Sequence, residues 1–107
     1  MSELATVEVV TSVDDEALAT VVGELDASNA DRVLAALQPA LTGSDLVIDA
    51  TRLRYLDSAG VRVLYTVADT ATLRGAGITL LVARDSPIRR VLELTGVDRV
   101  LTVEKRS

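Results

Sequence analysis

The apolar positions of this 107-residue chain recur with two alternating periods, one of two residues and one of three to four. Leu4 to Thr11 alternate loosely, Val7 and Val9 set against Thr6, Glu8 and Val10, and predict a strand. Val13, Asp14 and Asp15 read as a hairpin turn and Ala17 to Val22 as the returning strand, broken by Gly23-Glu24-Leu25-Asp26. Ala30, Val33, Leu34, Leu37 and Leu41 follow helical spacing, with Ser28 or Asn29 as N-cap and Asp31 where the helix dipole favours an anion. Pro39 removes a backbone donor, so this helix is expected to end or kink near Gln38. The run from Leu46 to Ala50 reads as a buried parallel strand.

A loop through Arg52 and Tyr55 leads to a second helix over Ser58 to Arg74, stopped by Gly75 and Gly77. Its apolar face is Val61, Leu64, Tyr65, Ala68, Ala71 and Thr72, with Arg62, Asp69 and Thr70 turned away. Ile78 to Ala83 is another buried strand. Ser86-Pro87 supplies the cap and first position of a third helix, with Ile88, Val91, Leu92 and Thr95 inward and Gly96 at its end. Val100 to Val103 closes the chain as a short strand.

The order ββαβαβαβ predicts an α/β fold, a small sandwich of three helices on a mostly parallel sheet of about five strands. No linker or long internal repeat divides it, so residues 1–107 are expected to form a single domain. A receiver-type phosphoacceptor domain is the obvious competitor, but the lone lysine is Lys105, at the tail, and the chain is short for five βα units.

Composition narrows the chemistry. The chain has no Cys, His, Trp or Phe, and its only aromatics are Tyr55 and Tyr65. Nucleophilic catalysis by a thiol or a Ser-His-Asp triad is therefore unavailable within the chain, as are Cys/His zinc sites and disulfides. Neither catalytic residues, a metal nor a cofactor is expected. The beginning lacks a basic segment followed by an apolar run, and no stretch reaches the ~20 apolar residues of a membrane span, so a cytoplasmic protein without membrane insertion is expected. Net charge is -5 but unevenly placed. Residues 1–49 hold 10 acidic residues against one basic, Arg32, whereas residues 50–107 hold 6 acidic against 10 basic. An acidic whole argues against direct nucleic-acid binding, while leaving room for a protein partner steered by the uneven charge.

The informative stretch is LVIDATRLRYLDSAGVRVL, residues 46–64. It puts Ser58 beside Asp57 at a helix N-terminus, at the carboxyl edge of a parallel sheet, where free backbone amides favour an anion. A phosphate on Ser58 would be held there by the helix dipole, and Arg62, one turn on, is placed to add a counter-charge. The plain reading of Ser58 is a helix cap. A nucleophile elbow is not supported, because G-x-S-x-G and histidine are both missing.

The string DSAGVRVL, preceded by LVIDATRLRYL and by GELD at Gly23 to Asp26, resembles the STAS domain family, the anti-sigma factor antagonists of bacteria. The likeness spans essentially the whole chain and includes Ser86-Pro87-Ile88-Arg89 with Leu92 and Gly96. It implies a protein-interaction switch rather than an enzyme. In that family the unphosphorylated domain binds an anti-sigma factor that is itself a serine kinase, freeing the sigma factor. The kinase then phosphorylates the serine matching Ser58, and a serine phosphatase reverses the step. The resemblance makes Asp26, Asp57, Ser58, Ala59, Gly60 and Arg62 the expected partner-binding residues, although an aspartate capping its own loop is the ordinary explanation of Asp26. Two positions depart from the family pattern. Ala59 stands where Ser or Thr is common, which leaves Ser58 as the one candidate hydroxyl, and Arg62 stands where a small residue is usual. Arg62 is open to three readings: a contact to the partner, an obstacle to the usual partner, or a solvated helix residue. Two other functions fit the same family: a subunit of another assembly, such as a stressosome or a lipid-transport complex, or a nucleotide-binding STAS protein, for which no glycine-rich phosphate loop is present.

Overall fold

The computed structural model describes residues 6–11 and 17–106. Strands β1 (Thr6–Thr11) and β2 (Ala17–Leu25) pair antiparallel, with Thr6 opposite Val22 and Thr11 opposite Ala17. The expected turn at Val13 to Asp15 and the start at Leu4 lie outside the described residues. Helix α1 (Ala30–Leu37) runs into a 3-10 turn (Gln38–Ala40), followed by β3 (Leu46–Asp49) and β4 (Leu53–Leu56). Helix α2 (Ser58–Leu73), β5 (Ile78–Ala83), α3 (Pro87–Thr95), a second 3-10 turn (Val97–Arg99) and β6 (Thr102–Arg106) complete the order.

The sheet runs β1-β2-β3-β5-β6, with β4 on the far end of β2, and every pairing after the first is parallel. This is the α/β, mostly parallel arrangement that the alternation of strand and helix periods predicts. Cross-strand rows explain the two layers. Ala17, Leu46 and Ile78 form one row and Ala19, Ile48 and Leu80 the next, all buried under the helices. The alternate rows, Leu18 with Val47 and Thr79, then Thr20 with Asp49 and Leu81, face outward and are at most half-buried. Burial on one face of β2, β3 and β5 is what makes their register unambiguous, since a one-residue slip would turn every core side chain to water.

Several elements differ from the sequence expectation. Strand β2 continues past Val22 to Leu25, because Gly23, at φ +100°, absorbs a bulge where β2 changes partner from β3 to β4. β4 occupies the segment expected to be a loop and makes the strands six in number among the described residues. It is hard to see in sequence because its burial does not alternate: Leu53 and Leu56 are buried, Arg54 and Tyr55 exposed. In α2, Val63 and Val67 are buried and Thr72 is exposed, since the helix packs on α1 as well as over the sheet, giving a wider apolar arc than a one-sided helix needs. Thr95 likewise points out of the core, its hydroxyl donating to the Val91 carbonyl at 2.6 Å. The last strand begins at Thr102 rather than Val100, which closes the 3-10 turn instead. Ser86 caps α3 as its sequence position predicts, accepting from the Ile88 amide, and Gly96 ends that helix in the left-handed region.

Candidate functional site

At the carboxyl edge of the sheet, β2 and β4 run side by side and each ends in an acid: Asp26 after β2 and Asp57 after β4. The N-cap of α2 is Asp57, not Ser58. Its Oδ1 accepts from the Ala59 and Gly60 amides at 2.9 and 3.0 Å, and its Oδ2 accepts from the Ala27 amide at 3.2 Å. One carboxylate therefore caps its own helix and ties that helix to the β2–α1 loop. Aspartate is as good a cap as serine, and an Asp immediately before Ser58 is the signal that favours this assignment. The assignment of the cap to Asp57 decides what the Ser58 hydroxyl is free to do. Ser58 occupies the first helical position, exposed, with its side chain taking no part in the cap.

Asp26 is held locally. Its Oδ1 accepts from the Ser28 amide at 2.9 Å and from the Ser28 hydroxyl at 2.5 Å, while its carbonyl accepts from the Asn29 and Ala30 amides. Of the two N-cap candidates for α1, Asn29 takes the position, yet its side chain makes no cap bond. Asn29 is buried and instead folds back along β2, its Oδ1 accepting from the Asp26 amide at 3.0 Å and its Nδ2 donating to the Glu24 carbonyl at 2.8 Å. A buried amide satisfied at both ends fixes the turn that presents Ala27 to Asp57. Sequence pattern alone marked Asn29 only as a cap; this reach back to the strand depends on tertiary register.

Gly60 explains why the helix can start so close to the strands. A Cβ added there would lie 2.5 Å from Leu56 Cδ1 and 2.7 Å from the Leu25 carbonyl oxygen. The same Leu25 carbonyl accepts the Asp57 amide at 3.3 Å, so α2 is pinned to the end of β2 by backbone contact on both sides of Ser58. Ala59 is half-buried and packs against the core. Arg62 is exposed, one turn beyond Ser58, at the rim of a groove of about 170 Å³ between α1 and α2. Asp31, Leu34, Ala59, Val63 and Thr66 line the same groove. Asp31 and Leu34 are surface residues that the sequence placed only on a helix, and only the packing of α1 on α2 brings them near the Ser58 end. Tyr55, half exposed on β4, is the exposed large apolar side chain closest in sequence to the site.

Among the described residues there is no group of three or more His, Cys, Asp or Glu side chains that could hold a metal ion. No helix among them is long and apolar enough to cross a membrane. What the edge offers is an exposed hydroxyl on a backbone held in place from three directions.

Comparison with known proteins places the chain in a family. The family described as "Mlab, STAS domain" matches residues 9–103, and the chain belongs to the STAS domain family. Among solved structures, an anti-sigma factor antagonist from Mycobacterium paratuberculosis is 23% identical with a TM-score of 0.80, covering 96% of this chain and 89% of that one. An antisigma-factor antagonist STAS domain from Rhodobacter sphaeroides is 26% identical with a TM-score of 0.62, covering 72% of this chain and 85% of the other. The Bacillus cell fate determinant SpoIIAA in its phosphorylated form is 17% identical with a TM-score of 0.65, covering 95% of this chain and 92% of that one.

Proposed function

We propose that this protein is an anti-sigma factor antagonist whose unphosphorylated form binds a kinase-type anti-sigma factor and releases the sigma factor, and that phosphorylation of Ser58 switches it off. The observation that carries the reading is the division of labour at the start of α2: Asp57 takes the capping role, and the Ser58 hydroxyl is left exposed. The antagonists among its structural relatives, one family member in phosphorylated form, support it. The domain is a substrate rather than a catalyst. The γ-phosphoryl of ATP passes to Ser58 Oγ, an O–P bond forming as the bond to ADP breaks, and the hydroxyl proton leaves to a base of the kinase. A serine phosphatase hydrolyses the ester and restores the binding form.

The physics of the off state is electrostatic. Phosphorylation adds roughly -1.5 to -2 charges to a chain already at -5. An acidic, desolvated surface opposite that phosphate would cost several kcal/mol, a large part of the ~8 kcal/mol that holds a micromolar complex. No refolding is needed, because the phosphate arrives at a helix N-terminus that tolerates negative charge.

The test is to incubate the protein with ATP and candidate kinase-type anti-sigma factors and to locate phosphate by mass spectrometry. Phosphate on Ser58, together with binding abolished in Ser58→Asp and kept in Ser58→Ala, is the expected result. A second reading, a STAS subunit of a larger assembly without a phosphate switch, draws on the Mlab description of the matching family. It takes over if no kinase modifies Ser58 and Ser58→Asp binds undiminished.

A further inference from the structure

We infer that Arg62 is the counter-ion of phosphorylated Ser58, so that the switch removes a cation from the α1–α2 groove as it adds an anion beside it. The inference rests on the reading of Ser58 as the phosphorylated residue. Positions 58 and 62 are four apart on α2, and such side chains are neighbours on a helix surface, with Cβ atoms roughly 5–6 Å apart. Helical Cα–Cβ bonds tilt toward the N-terminus, so the Arg62 side chain leans back over the turn that carries Ser58. Arg62 is exposed, and among the described residues no ion pair holds it.

The nearby carboxylates compete poorly for it. Asp57 already accepts three backbone amides, and Asp26 accepts the Ser28 amide and hydroxyl. Asp31, across the groove on α1, offers a single carboxylate. A phosphate offers three acceptor oxygens and up to two charges, the partner a guanidinium fork prefers. Arg62 lines the groove and lies four positions after Ser58 on α2, within reach of both.

The experiment uses the full chain with phosphoserine installed at position 58 by genetic encoding, which needs no kinase. Phosphorus NMR follows the second ionisation of the phosphate in the native sequence, in Arg62→Gln and in Arg62→Lys. A neighbouring cation favours the dianion, so its loss raises the midpoint: Arg62→Gln is expected to titrate about half to one pH unit higher, with Arg62→Lys between the two. Coincident curves for the native sequence and Arg62→Gln overturn the inference while leaving the kinase reading intact. A kinase that ignores Ser58 would sink that reading and leave these curves unchanged. Amide spectra of the variants should overlay, since Arg62 is exposed and supports no packing.

Discussion

The two turns at the carboxyl edge of the sheet are built from nearly the same residues and use them in opposite ways. In the β2–α1 turn, Asp26 and Ser28 are two apart, and the acid takes both the amide and the hydroxyl of the serine. In the β4–α2 turn, Asp57 and Ser58 are adjacent, and the acid reaches past the serine to the amides of Ala59 and Gly60. One residue of spacing decides the outcome. An aspartate bonds most easily to groups two and three positions ahead, so a serine directly after it is passed over. Ser28 is consumed by structure, and the Ser58 hydroxyl is left exposed with no part in the cap.

The comparison can be broken most violently at Gly60. Gly60→Ala forces a methyl group into Leu56 and the Leu25 carbonyl and is expected to destabilise the fold by about 2–4 kcal/mol, read as a lower urea midpoint at unchanged slope. Asp57→Ala comes next. It strips the cap and the tie to Ala27 together and should cost about 2 kcal/mol, against about 1 kcal/mol for Asp26→Ala, whose bonds stay within an exposed turn. If the two aspartate variants melt alike, Asp57 is not joining the two loops.

A finer discrimination comes from the serines. Ser28→Ala should lower stability by about 0.5 kcal/mol and Ser58→Ala by a few tenths at most, because only Ser28 makes a structural hydrogen bond. Equal losses in denaturant titrations would contradict the idea that Ser58 is spare. The smallest effect is expected on the backbone: phosphorylated and unmodified protein should superpose, and a rearrangement of α2 seen by NMR or crystallography would refute a purely electrostatic switch.

Much of this was readable from the chain. Helix α2 is marked by its strong period and terminal glycines, and α3 by Ser86, Pro87 and Gly96, since these residues act through local backbone geometry. β4 was hidden because Leu53-Arg54-Tyr55-Leu56 does not alternate and pairs only with the end of β2 beyond the Gly23 bulge. β6 was shifted because its exposed, charged Glu104, Lys105 and Arg106 look like a tail, whereas charge on an edge strand is how such a strand avoids unwanted pairing. At the site, the sequence singled out Asp57 and Ser58 but offered Ser58 as the cap. Which of two adjacent polar residues caps depends on backbone angles, and Asp57, at φ -104° and ψ -171°, has the extended conformation that a cap requires. Asn29, Asp31 and Leu34 gained their places only through contacts across 5 to 30 or more residues of chain, which no local pattern encodes.

The missing side chain at Gly60 bears finally on recognition. With α2 seated directly on the Leu25 carbonyl and cross-tied through Asp57, the backbone under Ser58 has little freedom to lose when a partner closes over it. Preorganisation of this kind lowers the entropic penalty of association. Under the proposed phosphorylation of Ser58, a kinase would meet the hydroxyl at a fixed height above a rigid platform, which is worth a large factor when an oxygen must line up with a phosphorus atom.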